Sequence, residues 1–219
     1  MRSLSHRLLA LDLVWIWFAA CVHVGQQQEQ SWRLLTLSPL PEPAAQDAGD
    51  PSSPGPVQSA IGVGPIHLPG YLDQDQLVTR ISENRVTLSE NDRWAEPLEG
   101  NIAKTLAHNL SILLRTDRVI LHPWPAQQQP AYQLEIDVLR FETDTAGTAQ
   151  LVFRWFLRDV ASGQTIAHEE AHLNAMAAGT SSERSVASLS KALGDFSLGT
   201  ANLIREIVQH DTTQSALEP

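Results

Sequence analysis

The sequence has very little cysteine and very little lysine. Cys21 is the single cysteine among 219 residues, so no disulfide can close within one chain, and no Cys/His spacing of a structural zinc site is present. Lys104 and Lys191 are the only lysines, and 25 acidic residues outnumber 15 basic ones, which gives a formal net charge of −10. Such a negative field repels phosphate groups, so a nucleic-acid partner is not expected.

Common catalytic signatures are also missing. The sequence contains no G-x-S-x-G elbow and no P-loop, and the glycine-rich stretch GVGPIHLPG at residues 62–70 contains prolines and opens no helix. The acidic residues Asp73, Asp75 and Asp92 lack the spacing and glycine placement of a calcium loop. We therefore predict no catalytic residues, no bound metal and no cofactor.

The first 20 residues have the pattern of a secretory signal. Arg2 and Arg7 precede an apolar run at residues 8–18, and small residues follow before Cys21. The run of about 11 residues extends over only about 16 Å as a helix, whereas a bilayer-spanning helix needs about 20 residues, or about 30 Å. A cleaved signal with an incidental cysteine, or a cytosolic chain with a misassigned start, would also fit this pattern.

The residues around the cysteine carry a more specific signal. Phe18-Ala19-Ala20-Cys21 resembles the bacterial lipobox, which implies cleavage before Cys21, a diacylglyceryl thioether on its sulfur and a third acyl chain on the new amino terminus. Two or more acyl chains give stable membrane anchoring. By the same resemblance, Val22 after the cysteine, where inner-membrane lipoproteins carry Asp, implies the periplasmic face of the outer membrane.

The remaining chain divides into three parts by composition. Residues 21–31 are polar and glutamine-rich, which predicts a flexible tether. Residues 32–210 carry the alternating and helical patterns of one folded domain, interrupted by a proline-rich stretch at 39–60 that we predict to be a disordered loop. Residues 211–219 are predicted to be a disordered tail.

The hydrophobic patterns predict an α+β fold. Residues 32–37, 60–69, 76–88, 118–122, 131–144, 150–160 and 165–173 have the character of strands, with a bulge after Val138. Residues 94–115 and a long C-terminal segment each carry one apolar stripe with helical spacing. Two amphipathic helices packed on one face of a mainly antiparallel mixed sheet would cover all of these apolar surfaces.

One motif points to metal chemistry. The sequence HEEAH matches H-E-x-x-H, in which His168 and His172 bind zinc and Glu169 activates water, provided that the motif lies on a helix. Gly163 lies in a tight turn after a strongly alternating strand, so we predict that the motif continues as the next strand of a hairpin. On a strand the two histidines are about 13 Å apart and cannot share one metal.

The stretch at residues 64–110 resembles the PqiC-like ABC-type transport auxiliary lipoproteins. The segments that carry the likeness are PGYLD at 69–73, QLVTR at 76–80 and RWAEPL at 93–98. The resemblance implies a non-enzymatic adaptor for intermembrane lipid transport, with an MCE-domain periplasmic protein as partner and a homo-oligomeric ring as one arrangement. Tyr71, Arg80 and Trp94 either pack the fold or contact that partner. A zinc metallohydrolase and a lipid-carrying module remain the alternatives.

Overall fold

The computed structural model describes residues 31–42, 55–176, 179 and 181–215. Over these residues the chain forms eight strands and two helices, which we number in chain order. The strands are β1 (Arg33–Leu35), β2 (Ile61–His67), β3 (Gln76–Ser82), β4 (Arg85–Trp94), β5 (Val119–Leu121), β6 (Tyr132–Asp144), β7 (Thr148–Asp159) and β8 (Thr165–Met176). The helices are α1 (Leu98–Leu114) and α2 (Ser182–Ser215).

The strands form one mixed sheet around the long strand β6. One edge of β6 pairs with β7 in antiparallel orientation, and β7 pairs in the same way with β8. The other edge of β6 is shared: its first half pairs with β2, and its last residues pair with β3, both in parallel orientation. Strands β5, β4 and β1 complete the order β1-β4-β3-β6-β2-β5. The α+β class and the mixed sheet predicted from the sequence are confirmed.

Alternating apolar residues explain why β6 and β7 lie at the centre. Leu134, Ile136, Phe153 and Leu157 point to the helix-covered face and are at most 1% exposed. The pairing of β6 with β7 shifts register between Val138 and Arg140, which confirms the predicted bulge. Both turns of the β6–β7–β8 meander contain a glycine in the left-handed region, Gly147 and Gly163, a conformation that other residues rarely adopt.

The two helices cover one face of the sheet with the stripes that the sequence predicts. On α1 the fully buried residues include Ile102, Leu106, Leu110 and Leu114, whereas Leu113 is only partly buried. On α2, Phe196 packs edge-on against Phe153 of β7, with ring centroids 5.1 Å apart. The helices and the sheet thus share one hydrophobic core.

Three predicted boundaries are wrong. Helix α1 begins at Leu98, not at 94, because Pro97 cannot continue a helix on its amino-terminal side and Trp94 is the last residue of β4. Helix α2 continues to Ser215, into the range predicted as a disordered tail. The ends of the proline-rich loop 39–60 are packed, since Val57 is buried and its N–H donates to the carbonyl of Leu114 over 3.0 Å. Residues 43–54 of that loop lie outside the described residues.

The two glycines within α2 have different surroundings. A Cβ at Gly194 would lie 2.8 Å from Cδ2 of Leu40, whereas a Cβ at Gly199 would meet no atom within 4 Å. Because alanine favours helix over glycine by about 1 kcal/mol, we expect Gly199→Ala to raise the free energy of unfolding by about 0.5–1 kcal/mol. Gly194→Ala should gain clearly less, because Leu40 must shift. Urea denaturation of both variants measures the difference, and equal gains would contradict this packing.

Candidate partner-binding site

A strap at residues 36–40 crosses the two helices directly after β1. The carboxamide oxygen of Asn109 on α1 accepts the backbone N–H of Leu40 over 2.7 Å, and the Asn109 amide donates to Ser197 Oγ on α2 over 3.0 Å. The Asn101 oxygen accepts the N–H of Leu37 over 3.3 Å. A buried amide that must satisfy its hydrogen bonds fixes its neighbours in place. The strap therefore joins the amino-terminal end of the domain to both helices.

Apolar contacts seat the strap between these hydrogen bonds. Leu37 is 4% exposed and belongs to the core, and the side chain of Leu40 lies against Gly194 of α2. The backbone N–H of Ser38 donates to Ser190 Oγ on α2 over 3.0 Å. The lack of a side chain at Gly194 thus makes room for Leu40, a role that the sequence alone does not indicate.

A second cluster joins β1, β4 and the start of α2. The buried carboxylate of Asp92 accepts hydrogen bonds from Arg33 Nε over 2.7 Å, from Ser89 Oγ over 2.8 Å and from Ser182 Oγ. Burial acts to raise the pKa of Asp92, but the hydrogen bonds from Ser182, Ser89 and Arg33 and the Arg33 charge outweigh it and hold the pKa below its ordinary value. The sequence pointed to Asp92 only as a possible calcium ligand, because its partners Arg33 and Ser182 lie 59 and 90 residues away in the chain.

Acidification should reveal this cluster. A carboxyl whose pKa is lower in the folded state stabilises the fold above its unfolded pKa of about 4, and this contribution is lost as the pH falls through the folded pKa. We expect Asp92→Asn to lower the free energy of unfolding at neutral pH and to reduce its loss below about pH 4. Urea denaturation across a pH series measures both effects, with the exposed Asp73→Asn as control. Parallel pH curves for wild type and Asp92→Asn would contradict the assignment.

The structure brings Tyr71 and Arg80 together on a buried acid that sequence analysis missed. Glu142 of β6 has a side-chain exposure of 0%; Arg80 Nε lies 2.5 Å from its Oε1, and the hydroxyl of Tyr71 donates to its Oε2 over 2.7 Å. Burial and then the neighbouring Glu142 raise the pKa of Tyr71 to about 12. No local signal in the sequence distinguishes Glu142, because Arg140, Glu142 and Asp144 are all charged and occupy the polar positions of the alternation.

This cluster lies where β6 changes its pairing partner from β2 to β3. The loop at residues 68–75 connects these two strands, and the hydroxyl of Tyr71 in that loop also lies 3.3 Å from the carbonyl oxygen of Leu139. Trp94 is separate from the cluster: it is 6% exposed, it is paired with Leu35 of β1, and its N–H donates to the carbonyl of Asp75. The side-chain contacts of all three predicted residues are thus largely internal.

The HEEAH motif lies on strand β8, as predicted. His168, Glu170 and His172 project from the face away from the helices, where Glu170 pairs with Arg154 of β7 over 3.1 Å. Glu169 projects to the helix-facing side. Within the described part of the chain, no group of three or more His, Cys, Asp or Glu side chains could hold a metal ion. The two imidazoles therefore lack the shared helical face that the zinc motif requires.

Surface grooves and the composition of the helices bear on lipid carriage and on membrane spanning. Described residues line surface grooves with volumes of about 170, 240 and 590 Å³, each with polar as well as apolar residues. No helix in the described ranges combines the length and the apolarity that crossing a bilayer requires. Cys21, the predicted lipidation residue, lies outside the described residues, as do the signal at 1–20 and the tether up to residue 30.

The fold defines an α+β domain in which a strap closes the helix-covered side of a mixed sheet. The family model described as ABC-type transport auxiliary lipoprotein component matches residues 36–198. The chain belongs to this family, so the resemblance found at residues 64–110 is confirmed. As a member, it is an auxiliary component of ABC-type transport, and the lipoprotein character of the family indicates a membrane-anchored location.

Solved structures support the fold. An uncharacterized protein is 24% identical with a TM-score of 0.60, over 68% of this chain and 94% of that chain. Protein XCC0632 from Xanthomonas campestris, of the DUF330 family, is 17% identical with a TM-score of 0.67, over 83% of this chain and 99% of that chain. No curated protein matches the sequence significantly.

Proposed function

We propose that the protein is a lipoprotein held at the periplasmic face of the outer membrane by acyl chains on Cys21. There it acts as a non-enzymatic adaptor subunit of an MCE-type intermembrane lipid transport system. The observation that carries this proposal is the family match over residues 36–198, preceded in the same chain by a lipobox-like sequence that ends at Cys21. Stable anchoring follows from several acyl chains on one residue.

The strap supports an anchoring role. The chain that follows Cys21 enters the domain at β1, and the strap then bonds to α1 through Asn101 and Asn109 and to α2 through Ser190. Hydrogen bonds and buried contacts over this short segment resist displacement of the chain entry point. A force on the amino-terminal segment would therefore be transmitted to the hydrophobic core.

The alternatives receive less support. The zinc metallohydrolase requires His168 and His172 on one helical face, and they lie on a strand. The lipid-carrying module requires a sizeable apolar cavity, whereas the helix–sheet interface is filled by side chains that are almost completely buried. Neither alternative explains a lipobox together with an auxiliary-component family.

Labelling with radioactive palmitate in a Gram-negative host tests the anchoring. We expect the wild-type chain to take up label and to fractionate with the outer membrane. Cys21→Ser should do neither, while Ser5→Ala in the same leader should behave like the wild type. A Cys21→Ser protein that still takes up label and still fractionates with the outer membrane would overturn the proposed anchor.

Cross-linking in cells tests the adaptor role separately. Affinity purification of the chain after cross-linking should enrich the MCE-domain protein of the same transport system. Normal palmitate labelling without such enrichment would retain the lipoprotein and reject the adaptor assignment. The partner-facing role of Tyr71, Arg80 and Trp94 stays a prediction. We propose that it is indirect, since their internal contacts fix the shape of the 68–75 loop.

A further inference from the structure

Strand β8 leaves a long edge of the sheet unpaired. Its residues Thr165–Met176 pair with β7 on one side, and no other strand in the described ranges pairs with it. The strands at the other ends of the sheet, β1 and β5, contain three residues each, whereas β8 contains 12. An unpaired edge presents a row of backbone N–H and C=O groups to which another extended segment can bind.

A groove runs beside this edge, between β8 and α2. Its volume is about 240 Å³, and its lining includes the apolar side chains of Trp155, Ala171, Leu173, Phe196 and Leu203. A strand added to the edge would place every second side chain on the helix-facing side of the sheet, because side chains alternate along a strand. Those side chains would enter this groove.

Gly199 makes the groove wider than the packing of the domain requires. It is an exposed residue of α2 that lines the groove, and a Cβ there would meet no atom within 4 Å. Gly194 on the same helix accommodates Leu40, but no contact within the described residues accounts for Gly199. Glycine in a helix costs about 1 kcal/mol relative to alanine. The space above Gly199 therefore suits a side chain from outside the domain.

The charges select the kind of partner. Glu169 is exposed, lines the groove and is the one charged residue in the helix-facing row of β8, while the other acidic residue of the lining, Asp195, pairs with Lys191 over 2.7 Å. Two copies of β8 paired antiparallel about the middle of the strand would bring Glu169 and Glu170 of one copy close to those of the other. Like charges opposite each other destabilise a strand pair, and the whole chain carries a net charge of −10. A second copy is therefore disfavoured, and a basic segment is favoured.

We propose that the free edge of β8 binds an extended segment of a partner protein as a ninth strand of the sheet. Apolar side chains of that segment fill the groove over Gly199 and Phe196, and a lysine or arginine pairs with Glu169. Backbone hydrogen bonds provide affinity, while the groove and the carboxylate select the sequence. The inference goes beyond the proposed function, because it depends neither on lipidation at Cys21 nor on the identity of the transport system.

A labelled peptide tests this site directly. The probe is a fluorescein-labelled peptide, Lys-Thr-Val-Thr-Val-Thr-Lys, titrated with the Cys21→Ser chain and followed by fluorescence anisotropy. Because side chains alternate along a strand, its valines and lysines share one face, which can meet the groove and Glu169 together. Glu169→Lys reverses the groove charge, Gly199→Phe fills the groove, and Glu90→Lys makes the same charge change at an exposed residue of β4. We expect binding to weaken about tenfold or more with Glu169→Lys and Gly199→Phe, and to stay within about twofold of wild type with Glu90→Lys. Circular dichroism and urea denaturation verify that each variant is folded.

Three results would overturn the proposal. The first is no binding of the peptide to the parent chain. The second is equal weakening by Glu169→Lys and Glu90→Lys, because that is the behaviour of general attraction to an acidic protein. The third is a concentration-dependent dimer in sedimentation that Gly199→Phe abolishes and the peptide does not, which would make a second copy the occupant. The palmitate experiment is independent of all three.

Discussion

Arg80→Met is expected to lower the free energy of unfolding by about 3–5 kcal/mol, because it leaves the carboxylate of Glu142 buried without its positive partner. Arg80 is 15% exposed and Glu142 is 0% exposed, so water cannot replace the lost interaction without opening the structure. The carbonyl of Glu83 also loses the hydrogen bond that Arg80 donates over 3.0 Å. Urea denaturation at neutral pH measures the loss.

A double variant separates the buried charge from the packing of the side chain. Replacing Arg80 by methionine together with Glu142 by leucine removes both charges, and we expect it to recover a large part of the stability that Arg80→Met loses. Arg85→Met, an exposed arginine at the start of β4, serves as control and should change little. An unfolding free energy for Arg80→Met equal to that of Arg85→Met would show that the Glu142 pair contributes nothing.

Asn109→Ala is expected to have the second largest effect, a loss of about 2–3 kcal/mol. The substitution removes the acceptor of the Leu40 N–H and the donor to Ser197, and it leaves a space at a residue with 0% exposure. Because Asn109 holds the strap against both helices, the strap should also become accessible before the domain unfolds. Native-state proteolysis should then cut the chain in residues 36–42 faster than in the wild type.

His108→Ala is the matched control, since His108 is the exposed neighbour of Asn109 on the same helix. It should leave both the unfolding free energy and the proteolysis rate close to wild-type values. Cleavage of Asn109→Ala and wild type at the same rate and position, with similar stability, would show that the strap does not depend on this amide.

The elements of the fold were predictable where the signal is local. Alternation in residues 131–144 and 150–160 predicts β6 and β7, and the apolar stripe from Leu98 to Leu110 predicts α1. The start of α1 was predicted wrongly, because an apolar residue such as Trp94 fits the buried face of a strand as well as that of a helix. Its pairing with Leu35 of β1, 59 residues away in the chain, decides its place in the sheet.

The clusters of the candidate site depended on contacts that no local pattern contains. Tyr71 and Arg80 were selected as one set with Trp94, but the residue that joins the first two is Glu142, which is 62 residues from Arg80 in the sequence. Asn109 was visible as a polar residue on a buried helix face, and its partner Leu40 lies 69 residues away. Such distant partners follow from the order of strands in the sheet and not from periodicity.

By itself, the sequence determined the α+β class, the strand state of the HEEAH motif and the family resemblance. These follow from backbone geometry, because side chains recur with a period of about 2 in strands and 3.6 in helices, and from short motifs that are read along the chain. The tertiary structure alone decided the mixed strand order, the strap over both helices and the free edge of β8 beside Gly199. Alternation shows which face of a strand is buried, but only the packed domain determines which strand, helix or empty space lies next to it.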